Sequence, residues 1–184
     1  MRISVDLDDV LADLIARLID THRQLTGESL TRDEVVKWDV FPPEVHDHVR
    51  YNGGYVDLKP LPFATEFLGW LAERGDQACI VTYRGEHARK MTEAWLREHM
   101  PGLWSSVHFT GGSKIEACRE LGVGLIVDDS YNQIPAVTDA LGIPGVLMDT
   151  PMNRHIAETP MVRRASDLRE AQAIITKLEA EGRL

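Results

Sequence analysis

The sequence predicts an α/β fold, a parallel sheet carrying helices on both of its faces. From residue 61 onward, short apolar runs alternate with longer segments of helical periodicity, almost without exception. That is the pattern of parallel strands joined by crossover helices. Several of the helical segments close on a glycine, at Gly75, Gly122 and Gly142, shortly before the next apolar run, which is a common helix stop. Right-handed crossovers turn such a chain into a Rossmann-like sheet, whose ligands bind beyond the carboxyl ends of the strands where the strand order reverses. Chemistry is therefore expected just after each strand.

The elements follow in order. RISVDLDD reads as a first strand, with Ile3, Val5 and Leu7 alternating against polar positions, and DVLADLIARLIDTHRQL, 9 to 25, as the helix after it. QACIVTYR (77 to 84), SVHFTG (106 to 111), VGLIVDD (123 to 129) and GVLMDT (145 to 150) are further strands. Helices are expected in FATEFLGWLAERG, GEHARKMTEAWLREHMPG, SKIEACRELG, IPAVTDALG and SDLREAQAIITKLEAEG. The last of these carries Leu168, Ala171, Ile174, Ile175 and Leu178 on one stripe. ETPMVRRAS, 158 to 166, reads as a loop or a short edge element.

Residues 26 to 60 break this rhythm. They hold one or two short helical patches, the FPP breaker at 41 to 43 and the NGG turn at 52 to 54, without a convincing strand. The economical reading is a core domain of residues 1–25 and 61–184, with a small helical cap, 26–60, inserted after the first strand–helix unit.

Composition narrows the function. With 184 residues, 43% of them apolar and 27% charged, the chain is long enough for a sizeable core and is expected to fold on its own. A net charge of −9 argues against a nucleic-acid polymer and against an anionic membrane surface. A small anionic substrate is still allowed where a cation offsets the charge locally. Cys79 and Cys118 lack CxxC spacing and lie in or beside apolar segments, the setting of buried, reduced thiols. The N-terminus enters strand-like sequence directly and no apolar run reaches membrane-spanning length, so a cytoplasmic location is expected. A homodimer is compatible with the sequence, which does not fix the oligomeric state.

The strand ends collect chemistry-bearing side chains. Asp6 and Asp8 follow the first strand, Thr82 the second, and Asp128 with Asp129 the fourth, while Lys114 opens the preceding helix. Two residues apart in extended backbone, Asp6 and Asp8 would point the same way. Converging, partly desolvated carboxylates resist ionisation unless a cation lies between them. One aspartate as a helix cap is the bland alternative, but it does not explain the second pair after GLIV. Oxygen ligands from both pairs suit magnesium, which retains waters and binds phosphate oxygens. A threonine at a strand-to-helix junction can hold phosphate. Lys114 is misplaced against a helix dipole unless it meets an anion.

In order along the chain, DLDDV at 6 to 10, Thr82, Lys114 and Asp128 with Asp129 resemble the four motifs of the haloacid dehalogenase superfamily of phosphohydrolases. Within it, DLDDVLAD, the insert after the first helix, LKPLPFATEFLGWLAERG, IVDDSYNQI and TPMNRH resemble the 5'(3')-deoxyribonucleotidase group. The resemblance implies a magnesium-dependent phosphatase acting on a small phosphate monoester, with a (deoxy)nucleoside monophosphate favoured. It also implies Asp6 as nucleophile, through an aspartyl phosphate, and Asp8 as acid and base. Mg2+ would be held by Asp6, the backbone carbonyl of Asp8 and Asp128, with Thr82 and Lys114 on phosphate oxygens.

The expected division of labour is an ionised Asp6 beside a crowded, protonated Asp8. Asp9 stands where such loops often have glycine. Tyr83 and Arg84 are bulkier than the residues usual after the threonine, and Arg84 is a candidate second phosphate contact with Tyr83 beside it. Trp38, Phe41, Tyr51 and Tyr55 are candidates to stack on a base, against the alternative that Trp38 and Phe41 form the insert's own small core. His46, His48, His87 and His155 have no converging spacing and read as surface residues. The rival functions are a phosphotransferase or mutase on a sugar phosphate using the same intermediate, and a nucleotide-binding protein without turnover.

Overall fold

A computed structural model describes residues 1–184. Six strands form one parallel sheet: β1 (Arg2–Val5), β2 (Gln77–Thr82), β3 (Ser106–Phe109), β4 (Leu125–Asp128), β5 (Gly145–Met148) and β6 (Val162–Ala165). Their spatial order is β3-β2-β1-β4-β5-β6. The chain thus lays strands outward on one side of β1, then returns to place β4 on its other side. The order reverses between β1 and β4, and a ligand site is expected beyond their ends.

The helices are α1 (Leu14–Thr26), α2 (Pro43–Tyr51), α3 (Ala64–Glu73), α4 (Arg89–His99), α5 (Ile115–Leu121), α6 (Gln133–Leu141) and α7 (Leu168–Ala180). The period-2 alternation of the strands separates two apolar layers. Ile3, Val5, Ile80, Leu125, Val127, Val146 and Met148 join the buried faces of α1, α3, α4 and α7. Val81, Ile126, Leu147 and Val162 pack with Cys118 of α5 and with Ile134 and Val137 of α6. Both cysteines are free and buried, as expected. No helix is long and apolar enough to cross a membrane.

Two boundaries differ from the sequence reading. The first helix begins at Leu14 rather than near Asp9, because the Leu7 carbonyl accepts hydrogen bonds from both Leu11 N and Ala12 N, at 2.9 and 2.8 Å, and closes a tight loop. Leu7, Val10, Leu11 and Ala12 are buried, so apolar residues that mimic a helical stripe instead anchor this loop to the core. Asp13 caps the true start by accepting from Ala16 N at 3.0 Å. The 158–166 stretch resolves into the edge element, with β6 paired to β5.

Residues 26–60 contain α2 and two short 3-10 turns, at Arg32–Glu34 and Trp38–Val40. Their apolar side chains Val35, Phe41, Val45, Val49, Tyr55 and Leu58 are continuous with the main core. The chain returns to the sheet past Leu58, whose carbonyl accepts a 2.7 Å hydrogen bond from the buried Trp95 indole of α4.

Candidate active site

The register of β1 on β4 decides the centre of the site. Val5 lies opposite Val127, so the next residues, Asp6 and Asp128, leave the sheet side by side, and Asp6 N donates to the Val127 carbonyl at 2.9 Å. Lys114 at the N-cap of α5 reaches in from below. Its Nζ lies 2.7 Å from Asp6 Oδ1 and 2.6 Å from Asp128 Oδ2. The anions that meet this lysine in the structure are the protein's own carboxylates. Asp128 Oδ1 accepts from Ser130 N at 2.8 Å, which fixes its plane.

Asp129 completes a buried cluster. Ligand-capable atoms of Asp6, Asp128 and Asp129 all lie within 4.8 Å of one another. Three carboxylates face one ammonium. Burial, reinforced by the charges of Asp128 and Asp8 and opposed by Lys114, raises the Asp6 pKa to about 7. Burial also pushes Asp129 well above the usual carboxylate range, with Asp9, Asp128 and Asp6 adding to the effect. For Lys114, burial opposes the charge, but Asp128 and Asp6 more than offset it and hold its pKa above the ordinary lysine value.

Asp8 has a different neighbour. Because the loop turns at Asp9, which has φ +55°, Asp8 does not continue an extended strand alongside Asp6. Its carboxylate is clasped by Arg84, with Nε donating to Oδ2 at 2.9 Å and Nη2 to Oδ1 at 2.6 Å. Arg84, read from the sequence as a candidate phosphate contact, is thus engaged by a carboxylate in this structure. Its backbone N donates to Thr82 Oγ1 at 3.2 Å, so the Thr82 side chain is fully buried and braces Arg84 rather than opening to solvent. The side chain of Asp8 also stands outside the three-carboxylate cluster.

A cavity of about 680 Å³ opens over these groups. Asp6, Asp8, Lys114 and Asp129 line its floor, and Trp38, Tyr51, Tyr55 and Tyr83 line it further out. Phe41 is not brought there. It is 2% exposed and packs edge-on against His22 and His46, because the FPP turn folds its ring inward onto α1. The sequence reading missed Arg50, on the last turn of α2, and placed His46 and His87 on the surface without a role, yet all three line the cavity. Among the cations lining it, Arg50 has no carboxylate within salt-bridge distance, whereas Arg84 and Lys114 are both paired. The only signal for Arg50 was its place at a helix end in a chain short of basic residues.

The residues fit a divalent cation. All three clustered donors are hard oxygens, and the ammonium of Lys114 is close to Asp6 Oδ1 without alignment to donate, leaving that buried oxygen without a hydrogen-bond partner. A buried, crowded, under-satisfied carboxylate set is the environment that magnesium or a similar ion relieves.

A family model described as 5' nucleotidase, deoxy (pyrimidine), cytosolic type C protein matches residues 1–181. The chain belongs to this family. A provisionally named nucleotidase of Halalkalibacterium halodurans is 29% identical over 85 residues, which is 45% of this chain and 43% of that protein; this chain thus matches less than half the length of that relative. Solved structures share the fold of this nucleotidase-family chain. A haloacid dehalogenase-family hydrolase from Deinococcus radiodurans R1, with bound phosphate and sodium, superposes with TM-score 0.65 at 18% identity, covering 98% of this chain and 96% of that one. A related hydrolase from Xanthomonas campestris gives 0.65 at 13% identity, covering 100% and 98%.

Proposed function

We propose that this chain is a magnesium-dependent phosphomonoesterase that hydrolyses a nucleoside or deoxynucleoside monophosphate. The observation that carries the reading is the convergence of Asp6, Asp128 and Asp129 at the reversal of strand order, with Asp6 facing a cavity large enough for a nucleotide. Family membership and the aromatic walls of the cavity support the substrate class.

In this reading Asp6 attacks phosphorus, and the new bond forms as the bond from phosphorus to the sugar oxygen breaks. Asp8 gives its proton to that departing oxygen. Water then attacks the aspartyl phosphate and passes a proton to Asp8. The bond from phosphorus to Asp6 breaks, phosphate leaves, and both carboxyl groups return to their starting state. Magnesium, held by Asp6, Asp128 and Asp129, would supply charge neutralisation. Lys114, paired with both Asp6 and Asp128, holds the two side chains in place, while Arg50 is available to meet substrate oxygens. Segment 26–60 acts as a cap, placing Trp38 and Tyr51 over the opening to select the base, while the buried ring of Tyr55 packs on Arg84 instead of facing a base.

Purified protein given a panel of nucleoside monophosphates, with and without magnesium, tests the reading by release of inorganic phosphate. Magnesium-dependent hydrolysis of at least one nucleotide is expected. Binding of nucleotides without hydrolysis of any would overturn it, and isomerisation of a sugar phosphate with little free phosphate would favour a mutase.

A further inference from the structure

We propose that Arg84 is the positioning residue for Asp8, and that Tyr55 makes this positioning depend on how segment 26–60 is seated over the site. The proposal rests on the phosphatase reading above.

A guanidinium is a planar fork that matches a carboxylate along two parallel hydrogen bonds, which an ammonium cannot do. Arg84 uses that fork on Asp8 and spends a third donor on Thr92, where Nη1 to Oγ1 is 2.8 Å. The arginine is 5% exposed, and its backbone N is held by Thr82 Oγ1. Strand β2 and helix α4 thus fix the stem and one edge of the guanidinium. Its flat face is covered by the Tyr55 ring, with Cζ 3.8 Å from the ring centroid.

Tyr55 comes from the inserted segment, and its approach is set by Gly54. A Cβ at Gly54 would lie 2.6 Å from Val49 Cα, so only glycine lets the turn close so tightly on α2. One path of contacts therefore runs from α2 through Tyr55 and Arg84 to Asp8.

A carboxylate held at both oxygens has one orientation instead of free rotation about its terminal bond. The fork occupies one lone-pair direction on each oxygen of Asp8 and leaves a second on each, where the proton that Asp8 donates would sit, and Asp8 lines the cavity with part of its side chain exposed. Proton transfer needs the acid within hydrogen-bond reach of the departing oxygen, and prior orientation removes rotational freedom that would otherwise be lost in the transition state. No other charged residue holds Asp8.

The departing group decides the test. p-Nitrophenolate leaves without needing a proton, whereas the alkoxide of a nucleoside does need one. kcat and KM are measured for wild type, Arg84→Lys, Arg84→Ala and Tyr55→Leu on p-nitrophenyl phosphate and on the best nucleoside monophosphate.

On the nucleotide, Arg84→Lys should lower kcat by about tenfold or more while KM stays within about threefold. On p-nitrophenyl phosphate the loss should be under about threefold. Tyr55→Leu should show the same selective loss at smaller size, and free guanidinium ion should restore part of the nucleotide activity of Arg84→Ala. A rise in KM on both esters would instead make Arg84 a phosphate contact. Equal kcat losses on both esters, without guanidinium rescue, would make its role structural, and either result overturns the proposal. A wild-type protein that hydrolyses neither ester would overturn the phosphatase reading itself.

Discussion

The ammonium of Lys114 lies 2.6 Å from Oδ2 of Asp128, and the two side chains are among the most deeply buried charged groups of the molecule. Lys114 is also the only cation paired with Asp6. Its removal leaves three clustered carboxylates with no compensating charge. Lys114→Met should therefore destabilise the metal-free protein by about 3 kcal/mol or more, the scale for breaking a buried ion pair from one side. Saturating magnesium should recover part of the loss. Urea unfolding of both proteins, in EDTA and in magnesium, measures both quantities. A variant as stable as wild type in EDTA would show that the cluster does not depend on its lysine.

Asp6→Asn should abolish turnover while leaving the fold intact. The substitution removes the nucleophile but keeps the side-chain shape, and it deletes a charge that burial already opposes. Metal-free stability should be kept or raised. The stabilisation by magnesium should shrink, because a ligand that binds only the folded state stabilises it according to its affinity. Thermal unfolding with and without magnesium, beside the phosphate-release assay, reads all three. Near-native rates from Asp6→Asn would sink the proposed chemistry.

What the sequence revealed and what it hid divide along physical lines. Asp6, Asp128 and Lys114 were legible because strand ends and helix starts are local features, and charged residues in those places are anomalous against an apolar run. The sheet and both apolar layers followed from period-2 runs alternating with helical ones. Hidden instead were the long-range partnerships. Nothing near Asp8 in sequence announces Arg84, 76 residues away, and the pairing gives Arg84 a carboxylate partner that the sequence did not suggest. The loop at 6–13 was misread as a helix start because Leu11 falls in helical register with Ile15 and Leu18 while being buried for another reason. Phe41 belongs with the core, an alternative the spacing alone could not decide.

The Asp6 carboxyl should make metal-free stability fall as pH rises. Its pKa stands at 3.8 unperturbed and about 7 in the folded protein. Between those values the folded state binds more protons than the unfolded one, and stability falls with pH wherever that holds. The loss should run from about pH 4 to about pH 7 and then level off, with a size of about 4 kcal/mol from this group alone. Asp129 shifts in the same direction. Magnesium requires the ionised carboxylates, so its stabilisation should grow across the same window. Urea unfolding at a series of pH values, in EDTA and in saturating magnesium, should give curves that diverge with rising pH; parallel curves would mean that the cation binds elsewhere.

Asp9 offers a separate test of the loop that orients Asp8. It holds φ +55°, a left-handed conformation that aspartate tolerates and that most other residues adopt at a strain of roughly 1 kcal/mol or more. Its Oδ1 accepts from Ile15 N at 3.0 Å and from Arg32 at 3.2 Å, while its buried Oδ2 has no partner. Burial raises its pKa to about 8, against the opposing effects of the Ile15 hydrogen bond and Arg32. A single substitution would mix all of these contributions. Asp9→Gly and Asp9→Ala both delete the same carboxylate and the same hydrogen bonds, so their difference isolates the backbone. Glycine adopts positive φ freely and alanine does not, although glycine loses more freedom on folding. Asp9→Gly should therefore be the more stable of the two by about 1 kcal/mol, read as the separation of their urea midpoints at equal m-value. If alanine proved equal or better, the backbone at position 9 would not be left-handed, and the loop that turns Asp8 toward Arg84 would have to be redrawn.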